Sequence, residues 1–212
     1  MSKGKFITFE GGEGAGKSTQ ARDLADALRQ TGLDVVLTRE PGGTPGGEMI
    51  RKLLIEGDTR RWDSLTEALL HFAARREHVA RLIEPALAAG RWVISDRFAD
   101  STLAYQGAGQ GLDDASLATL RALVLGDFTP DLTLVLDMPA EVGLRRIAAS
   151  RVDSSRYERM DAAFHERLRG RFLDIARREP RRCVVIDATA DTDAVRAAIA
   201  KTVGDRLGVR WR

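Results

Sequence analysis

The sequence predicts a three-layer α/β sandwich, in which helices cover both faces of a five-stranded parallel sheet. Short apolar segments alternate along the chain with longer segments of helical periodicity, which is typical of parallel strands joined by crossover helices. The apolar segment 131–137 is almost uninterrupted, as expected of a strand that is buried on both faces. The whole chain, residues 1–212, has the length of one domain with a substantial core.

The positions of the strands and helices follow from the same patterns. Strands are predicted at 5–10, 34–38, 91–95, 131–137 and 183–187. Helices are predicted at 19–30, 46–56, 63–89, 113–126 and 139–149, in a long segment that ends at residue 178, and from residue 191 onward. Ser64 is expected to cap the longest helix, because Glu67 follows it with the spacing of a capping box. Gly107 and Gly109 are expected to end a short helix that carries Ser101.

A glycine-rich loop with the pattern G-x-x-x-x-G-K-[ST] connects the first predicted strand to the first predicted helix. Its glycines let backbone N–H groups converge on one concave point, which the positive end of the helix also faces. Lys17 can then reach the β- and γ-phosphates of a nucleoside triphosphate, and the hydroxyl of Ser18 can ligate magnesium. The residues predicted to hold the triphosphate are Gly11, Gly12, Glu13, Gly14, Ala15, Gly16, Lys17, Ser18 and Thr19.

Charged residues follow the second and third predicted strands, at the sheet edge where ligands collect in open α/β folds. Arg39, Glu40 and Pro41 come directly after the second strand. Asp96 closes the third strand, as a magnesium-organising aspartate does in phosphate-loop enzymes, and Arg97 beside it can clamp a phosphoryl group. We therefore expect phosphoryl-transfer chemistry at this edge, with Mg²⁺ as the cofactor.

The segment 150–161 is polar, carries Arg151, Arg156 and Arg159, and has no clear apolar stripe. Irregular segments of this length in a compact domain are often active-site lids. We therefore predict a mobile lid whose arginines close on the phosphates.

The overall composition indicates a soluble protein and not a membrane or secreted one. The net charge of +2, from 33 basic and 31 acidic side chains, indicates no particular partner, so no nucleic acid is expected. No apolar segment approaches the roughly 18 residues of a membrane span, and the N-terminus has no signal-peptide core. The single cysteine, Cys183, supports neither a disulfide framework nor a zinc site. We expect a cytoplasmic protein without a membrane partner.

Five segments carry a more specific signal than the phosphate loop, which many unrelated enzymes share. They read FEGGEGAGKS at 9–18, TREPGG at 38–43, SDRF at 95–98, STLAYQG at 101–107 and GDFTPD at 126–131. Together they resemble the thymidylate kinases of the bacterial type, from Phe6 to the last predicted helix. The resemblance implies a P-loop NTPase-type fold and a homodimer. It also implies Mg²⁺-dependent transfer of the γ-phosphoryl group of ATP to dTMP, which gives dTDP and ADP for dTTP biosynthesis.

The resemblance implies roles for residues around the acceptor nucleotide. Arg39, Arg51 and Arg97 would gather round the phosphate of dTMP, Glu13 would face its 3′-hydroxyl, and Tyr105 would disfavour a ribose by crowding the 2′ position. The residues implied at the acceptor are Glu13, Glu40, Pro41, Arg51, His71, Phe72, Arg75, Arg97, Ser101, Thr102, Tyr105 and Gln106, and the implied metal ligands are Ser18 and Asp96. Bacterial members supply an arginine from the lid when the phosphate loop has none, so the implied catalytic residues are Lys17, Arg39, Arg97, Arg151 and Arg156.

The sequence departs from the family pattern where a ring should stack on the base. Arg75, Thr102 and Gln106 would read the edges of thymine. Many family members carry a phenylalanine four residues before the thymine-reading arginine; here that position is His71, and Phe72 follows it. Either ring could stack on the base, and the choice stays open at this point.

Two other functions compete with this interpretation. The first is a kinase for another nucleoside monophosphate or a small hydroxylated metabolite, and Thr102, Tyr105 and Gln106 are the positions that would distinguish it. The second is a nucleotide switch or motor. Switch GTPases need an N-K-x-D motif, which this sequence lacks, and its D-x-x-G at 205–208 lies at the wrong end of the chain.

Overall fold

A computed structural model describes residues 4–59, 61–149 and 156–211. The strands within these residues are β1 (Phe6–Gly11), β2 (Val35–Arg39), β3 (Trp92–Asp96), β4 (Leu132–Asp137) and β5 (Cys183–Asp187). They form one parallel sheet in the order β2-β3-β1-β4-β5. The predicted α/β fold with a five-stranded parallel sheet is confirmed, and each strand agrees with its predicted limits to within one residue.

Helices lie on both sides of this sheet. They are α1 (Lys17–Gln30), α2 (Pro45–Ile55), α3 (Ser64–His78), α4 (Glu84–Ala88), α5 (Ala99–Thr102), α6 (Asp114–Leu125), α7 (Ala140–Ala149), α8 (Ala162–Arg178) and α9 (Thr192–Leu207). A π-helical turn, Val79–Ile83, joins α3 to α4, and a second one, Leu103–Gly109, continues α5. In the described part of the chain, no helix has the length and apolar composition that crossing a membrane requires.

The alternation of side chains along β1 explains the three layers. Ile7 and Phe9 pack with residues of α1 and α9 on one face of the sheet, whereas Phe6 packs with Phe98 on the other face. Successive side chains of a strand point to opposite faces, so a central strand needs apolar residues on both. The sheet is therefore buried between two layers of helices.

The parallel register brings three loops to one edge of the sheet. Phe9 of β1 lies opposite Asp96 of β3, which in turn lies opposite Arg39 of β2. The loop after β1 is the glycine-rich phosphate loop, and α1 begins directly behind it at Lys17. The residues that follow these three strands therefore surround a single space.

The N-cap of α3 is Asp63 and not Ser64, so the predicted capping box is wrong. The Asp63 carboxylate accepts hydrogen bonds from the backbone N–H groups of Leu65 at 3.0 Å and Thr66 at 3.1 Å. An aspartate caps well because it satisfies free N–H groups and its charge favours the positive end of the helix. The side chain of Glu67 therefore does not cap the helix, and it is fully buried in the interior.

Gly109 is the last residue of the helical segment, as predicted, whereas Gly107 does not end it. The chain continues through Gly107 in the π-helical turn Leu103–Gly109. A Cβ atom on Gly109 would lie 2.5 Å from Cε2 of Phe164, and one on Gly107 would lie 2.9 Å from Cδ1 of Leu117. The two glycines are needed because this turn packs closely against α8 and α6.

Candidate active site

A cavity of about 590 Å³ lies at the edge of the sheet where β1, β2 and β3 end, and its size suits a nucleotide. Of the predicted site residues, it brings together Glu13, Gly14, Gly16, Lys17, Ser18, Thr19, Arg39, Glu40, Pro41, Arg51, His71, Arg75, Asp96, Arg97, Ser101, Tyr105 and Gln106. Its wall also contains Ile55, Phe98, Arg146, Ile147, Tyr157 and Glu158, which the sequence patterns do not assign to the site. The predicted residues outside its wall are Gly11, Gly12, Ala15, Phe72, Thr102 and Arg156.

The phosphate loop presents a cation and a helix N-terminus to this cavity. Gly16 is the N-cap of α1 and has no side chain that could occupy the free N–H groups of the first turn. Lys17 is only 6% exposed, and its ammonium donates a 2.6 Å hydrogen bond to the carbonyl oxygen of Gly12. Burial, together with the positive charge of Arg97, lowers the pKa of Lys17 to about 8. With a pKa of about 8, this lysine is still mostly charged at neutral pH.

Two oxygen ligands for a metal ion lie beside Lys17. The hydroxyl of Ser18 donates a hydrogen bond to Oδ2 of Asp96. The second carboxylate oxygen of Asp96, Oδ1, is buried and has no hydrogen-bond partner among the described residues. Within those residues there is no cluster of three or more metal-binding side chains. One or two protein oxygens, completed by phosphate oxygens and water, are the usual arrangement for Mg²⁺, so the residues fit this ion.

Arg97 and Glu13 form an ion pair in the cavity wall. A guanidinium nitrogen of Arg97 lies 2.9 Å from Oε1 of Glu13, which also accepts a 2.7 Å hydrogen bond from the hydroxyl of Tyr105. The guanidinium carbon lies 4.9 Å above the Tyr105 ring. Burial alone would raise the pKa of Glu13, but the charges of Arg97 and Lys17 outweigh it and lower the pKa to about 2. Glu13 is therefore a carboxylate that can accept a hydrogen bond from a ligand hydroxyl.

The backbone of Arg97 is held in an unusual conformation by Glu10, a residue that the sequence patterns do not assign to the site. Arg97 has a φ of 71°, in the left-handed region that costs a non-glycine residue roughly 1–3 kcal/mol. Glu10 is fully buried and accepts hydrogen bonds from the backbone N–H of Phe98 at 2.8 Å and the hydroxyl of Ser101 at 2.6 Å. These bonds fix the turn after β3, so the Arg97 side chain returns toward the phosphate loop.

Arg75 is buried at the far side of the cavity and is held from three directions. Its Nε donates to Glu40 at 2.7 Å, and its other nitrogens donate to Thr102 Oγ1 at 3.1 Å and to the carbonyl oxygen of Phe98 at 3.0 Å. Glu40 also lies 3.0 Å from Nδ1 of His78. Thr102 is 1% exposed, lies outside the cavity wall and holds Arg75, and its predicted role in reading the base stays a prediction.

Arg75→Met is expected to lower the free energy of unfolding by about 3–5 kcal/mol, because it leaves the buried carboxylate of Glu40 without its main cationic partner. Arg76→Met is the matched control, since Arg76 follows on the same helix but is exposed. We expect the control to stay within about 0.5 kcal/mol of the unsubstituted protein. Equal urea-unfolding midpoints for the two variants would show that the buried pair contributes little.

The two candidate stacking rings, those of His71 and Phe72, lie in different places relative to the cavity. Phe72 is 2% exposed, packs with Ala68 and Leu117, and lies beneath the Arg75 guanidinium, outside the cavity wall, so its contact with the ligand stays a prediction. His71 lines the cavity, and its Nε2 lies 3.0 Å from the hydroxyl of Tyr157. Burial and the neighbouring charge of Arg75 hold the pKa of His71 well below its usual value, so the ring is neutral. His71 is therefore the ring that can face a bound base.

Two further cations reach the cavity from β2 and α2. Arg39 is about half exposed and pairs with Glu48 at 3.0 Å. Arg51 donates a 2.8 Å hydrogen bond to the carbonyl oxygen of Pro41, which holds the loop after β2. With Lys17 and Arg97, these arginines give the space a strongly cationic wall.

The structure does not place Arg156 at the phosphates. Its side chain is 1% exposed, forms an ion pair with the buried Glu67, and donates to the carbonyl oxygen of Leu54. A buried arginine needs such a partner, and Glu67 supplies it because Asp63 has taken over the helix cap. The predicted lid at 150–161 is described only from residue 156 onward, and Arg151 lies outside the described residues. The catalytic roles predicted for Arg156 and Arg151 both stay predictions.

Several groups that converge on the cavity from the three loops are suited to binding or aligning phosphates. A phosphate loop, an oxygen pair for Mg²⁺ and several cations, set at the ends of parallel strands, define a phosphotransferase that uses a nucleoside triphosphate. The family model for thymidylate kinase matches residues 9–199. The chain therefore belongs to the thymidylate kinase family, whose members are ATP-dependent dTMP kinases, and the predicted family and class of enzyme are confirmed.

Similar proteins cover almost the whole chain. A thymidylate kinase of Caulobacter vibrioides is 59% identical over 209 residues, which are 99% of this chain and 100% of the relative. One of Rhizorhabdus wittichii is 51% identical over 205 residues, 96% of this chain and 99% of the relative. The crystal structure of thymidylate kinase from Ehrlichia chaffeensis superimposes with a TM-score of 0.78 at 38% identity, covering 95% of this chain and 100% of that one.

Proposed function

We propose that this chain transfers the γ-phosphoryl group of ATP to the 5′-phosphate of dTMP in the cavity described above, giving dTDP and ADP. The observation that carries the proposal is that the donor-side cation Lys17 and the acceptor-side cations Arg39, Arg51 and Arg97 line one cavity. The transition state spreads charge over equatorial oxygens and needs little covalent help, so alignment of two anions by fixed cations supplies most of the catalysis.

The phosphate loop and α1 would bind the donor. The N–H groups of the first helical turn and the ammonium of Lys17 face the position of a triphosphate tail. Ser18 Oγ and the free Oδ1 of Asp96 would hold Mg²⁺. When bound, the ion neutralises charge on the β- and γ-phosphate oxygens.

The opposite side of the cavity would bind the acceptor. Arg97 would turn its free N–H groups to the phosphate of dTMP, and Glu13, as a carboxylate, would accept a hydrogen bond from the 3′-hydroxyl. Tyr105 is fixed by its hydrogen bond to Glu13, and its ring would crowd a 2′-hydroxyl. Arg75, Gln106 and His71 would surround the base.

A coupled ADP-release assay with dTMP, dUMP, UMP, CMP, AMP and GMP as acceptors tests this function. We expect dTMP to have the highest kcat/KM and the ribonucleotides to react at least about a hundredfold less well, because an unpaired or crowded polar group in a closed site is costly. A higher kcat/KM for a purine or a ribonucleotide would favour the alternative, a kinase for another monophosphate.

We assign the lid arginine of the proposed mechanism to Arg151, since Arg156 is engaged by Glu67. A lid that closes only over both nucleotides would exclude water from the γ-phosphate. ATP hydrolysis in the absence of dTMP should therefore be slow relative to kinase turnover. Rapid hydrolysis without acceptor would count against a closing lid.

We propose a homodimer that forms through α3 and α6. Leu65 and Leu69 lie one turn apart on α3 and are 44% and 48% exposed, and Leu123 on α6 is 81% exposed. Since α3 and α6 pack against each other, we infer that these leucines form one apolar surface, which burial against a second copy would remove from water.

Leu69→Glu is expected to convert the dimer to a monomer in light scattering after size-exclusion chromatography. The introduced charge would have to be buried without a partner. Val185→Glu is the matched control, since Val185 is 43% exposed but lies on the edge strand β5. The proposal is wrong if the unsubstituted protein is already monomeric at micromolar concentration.

We further propose a cytoplasmic location. Cys183, the only cysteine in the sequence, is buried and free. Free thiols of this kind are typical of reducing compartments, where ATP and dTMP are also found.

A further inference from the structure

The buried carboxylate of Glu67 contacts four donors from two other segments of the chain. It accepts hydrogen bonds from Nε2 of Gln106 and Nε2 of Gln110, both at 2.7 Å, and from the hydroxyl of Tyr157 at 2.8 Å. Arg156 completes the set with an ion pair. In each of these contacts the partner is the donor and a Glu67 oxygen is the acceptor. Any amide that bonds to Glu67 must therefore point its NH₂ group toward it.

This constraint decides which way the Gln106 side chain is turned. An amide oxygen and nitrogen are distinguished by the hydrogen-bond network around them, and here the network permits one orientation. Nε2 of Gln106 is taken by Glu67, so Oε1 points the other way. That oxygen is buried and has no hydrogen-bond partner among the described residues. Gln106 is 0% exposed and is one of the residues that line the cavity.

An unpaired buried acceptor beside the base region selects the ligand that can satisfy it. Thymine has an N–H donor at N3, whereas cytosine has a lone pair there. A buried acceptor that faces a lone pair stays unpaired and adds repulsion, which costs a factor of about ten or more in binding. A glutamine turned the other way would reverse this preference, because it would present NH₂ to the base.

We propose that Glu67 is a positioning residue, which locks the Gln106 amide so that the base site presents an acceptor to the N3–H of thymine. The proposal rests on the proposed function, because it concerns how that site recognises dTMP. Glu67 does not touch the substrate; it acts through Gln106. The specificity for thymine over cytosine is thus set by a carboxylate one layer behind the cavity.

The test is Glu67→Gln, assayed with dTMP and with 5-methyl-dCMP. The second acceptor keeps the sugar, the phosphate and the methyl group, but has a lone pair at N3. A glutamine at position 67 can donate to Oε1 of Gln106 and so lets Nε2 turn to the base. We expect the ratio of kcat/KM for dTMP to that for 5-methyl-dCMP to fall at least about tenfold. A purely structural role of Glu67 would lower both values and leave the ratio unchanged.

Gln110→Leu is the matched control. It removes another donor from the same carboxylate but leaves the Glu67–Gln106 bond in place, so the ratio should stay within about twofold of the unsubstituted enzyme. If Glu67→Gln does not fold because Arg156 loses its partner, the double variant Glu67→Gln/Arg156→Met removes that unpaired charge and carries the same expectation.

The unsubstituted enzyme supplies a second measurement that needs no variant. If Gln106 presents a hydrogen-bond acceptor to N3, the unsubstituted enzyme must prefer dTMP over 5-methyl-dCMP by at least about tenfold in kcat/KM. A smaller preference overturns the proposal. An unchanged ratio in a folded Glu67 variant overturns it as well. If the unsubstituted enzyme fails to phosphorylate dTMP at all, the proposed function is wrong, and the two failures are thereby distinguishable.

Discussion

Lys17→Met should lower kcat by about a hundredfold to a thousandfold while the protein stays folded. The ammonium of Lys17 lies in the cavity wall next to the Ser18–Asp96 oxygen pair, where the proposed mechanism would place the γ-phosphoryl group. Methionine keeps most of the side-chain volume but removes the positive charge that would stabilise the negative charge of the transition state. The ADP-release assay at saturating ATP and dTMP measures the effect, and circular dichroism checks the fold. Normal turnover by this variant would remove Lys17 from the mechanism.

The charge of Lys17 should also set the alkaline limit of activity. Its pKa is lowered to about 8 by burial and by Arg97, so the free enzyme loses this cation as the pH rises above 8. kcat/KM for ATP reports the free enzyme and should fall by about tenfold per pH unit beyond that point. Lys17 is charged, and the enzyme active, on the acidic side of the transition.

The titration of Glu10 must be distinguished from that of Lys17 in the pH profile of kcat/KM. Burial and the charge of Asp100 raise the pKa of Glu10 to about 8 as well. Glu10→Gln removes this titration and leaves that of Lys17, so the decline of kcat/KM above pH 8 should persist in the variant. A flat profile in Glu10→Gln would assign the transition to Glu10.

Arg97→Met should lower kcat/KM for dTMP by about a thousandfold or more. Arg97 lies beside the phosphate loop, and its turn is held by hydrogen bonds from the backbone N–H groups of Phe98 and Ser101 to the Glu10 carboxylate. Arginine binds phosphate with two parallel hydrogen bonds, which methionine cannot replace. Steady-state kinetics with varied dTMP measure the loss, and thermal unfolding shows whether the fold is intact.

Glu13 provides the control for Arg97. Removing the guanidinium also leaves the Glu13 carboxylate without its 2.9 Å partner, and this negative charge would itself repel the phosphate of dTMP. The double variant Glu13→Gln/Arg97→Met removes that repulsion. We expect it to remain at least about a hundredfold below the unsubstituted enzyme. A recovery to within about tenfold would mean that Arg97 mainly neutralises Glu13.

Most of the architecture could be predicted because it depends on local patterns. Burial on both faces requires continuous apolar strands, and such segments predicted every strand to within one residue. The phosphate loop is contiguous in sequence, so Lys17 and Ser18 were recognisable from spacing. Asp96 and Arg97 could be placed because the ends of parallel strands meet at one edge.

The sequence by itself determined the sheet, the phosphate loop, the ends of the strands that carry the cations, and the family. Only the tertiary structure decided which neighbour of a pair faces the cavity, as with His71 and Phe72, and where a charged side chain finds its partner, as with Arg156. Glu67 has a capping-box spacing in sequence, yet its carboxylate contacts Gln106 and Arg156, which lie 39 and 89 residues further along the chain. The physical reason is that a buried charge must be paired, and its partners come from whichever elements the fold packs beside it.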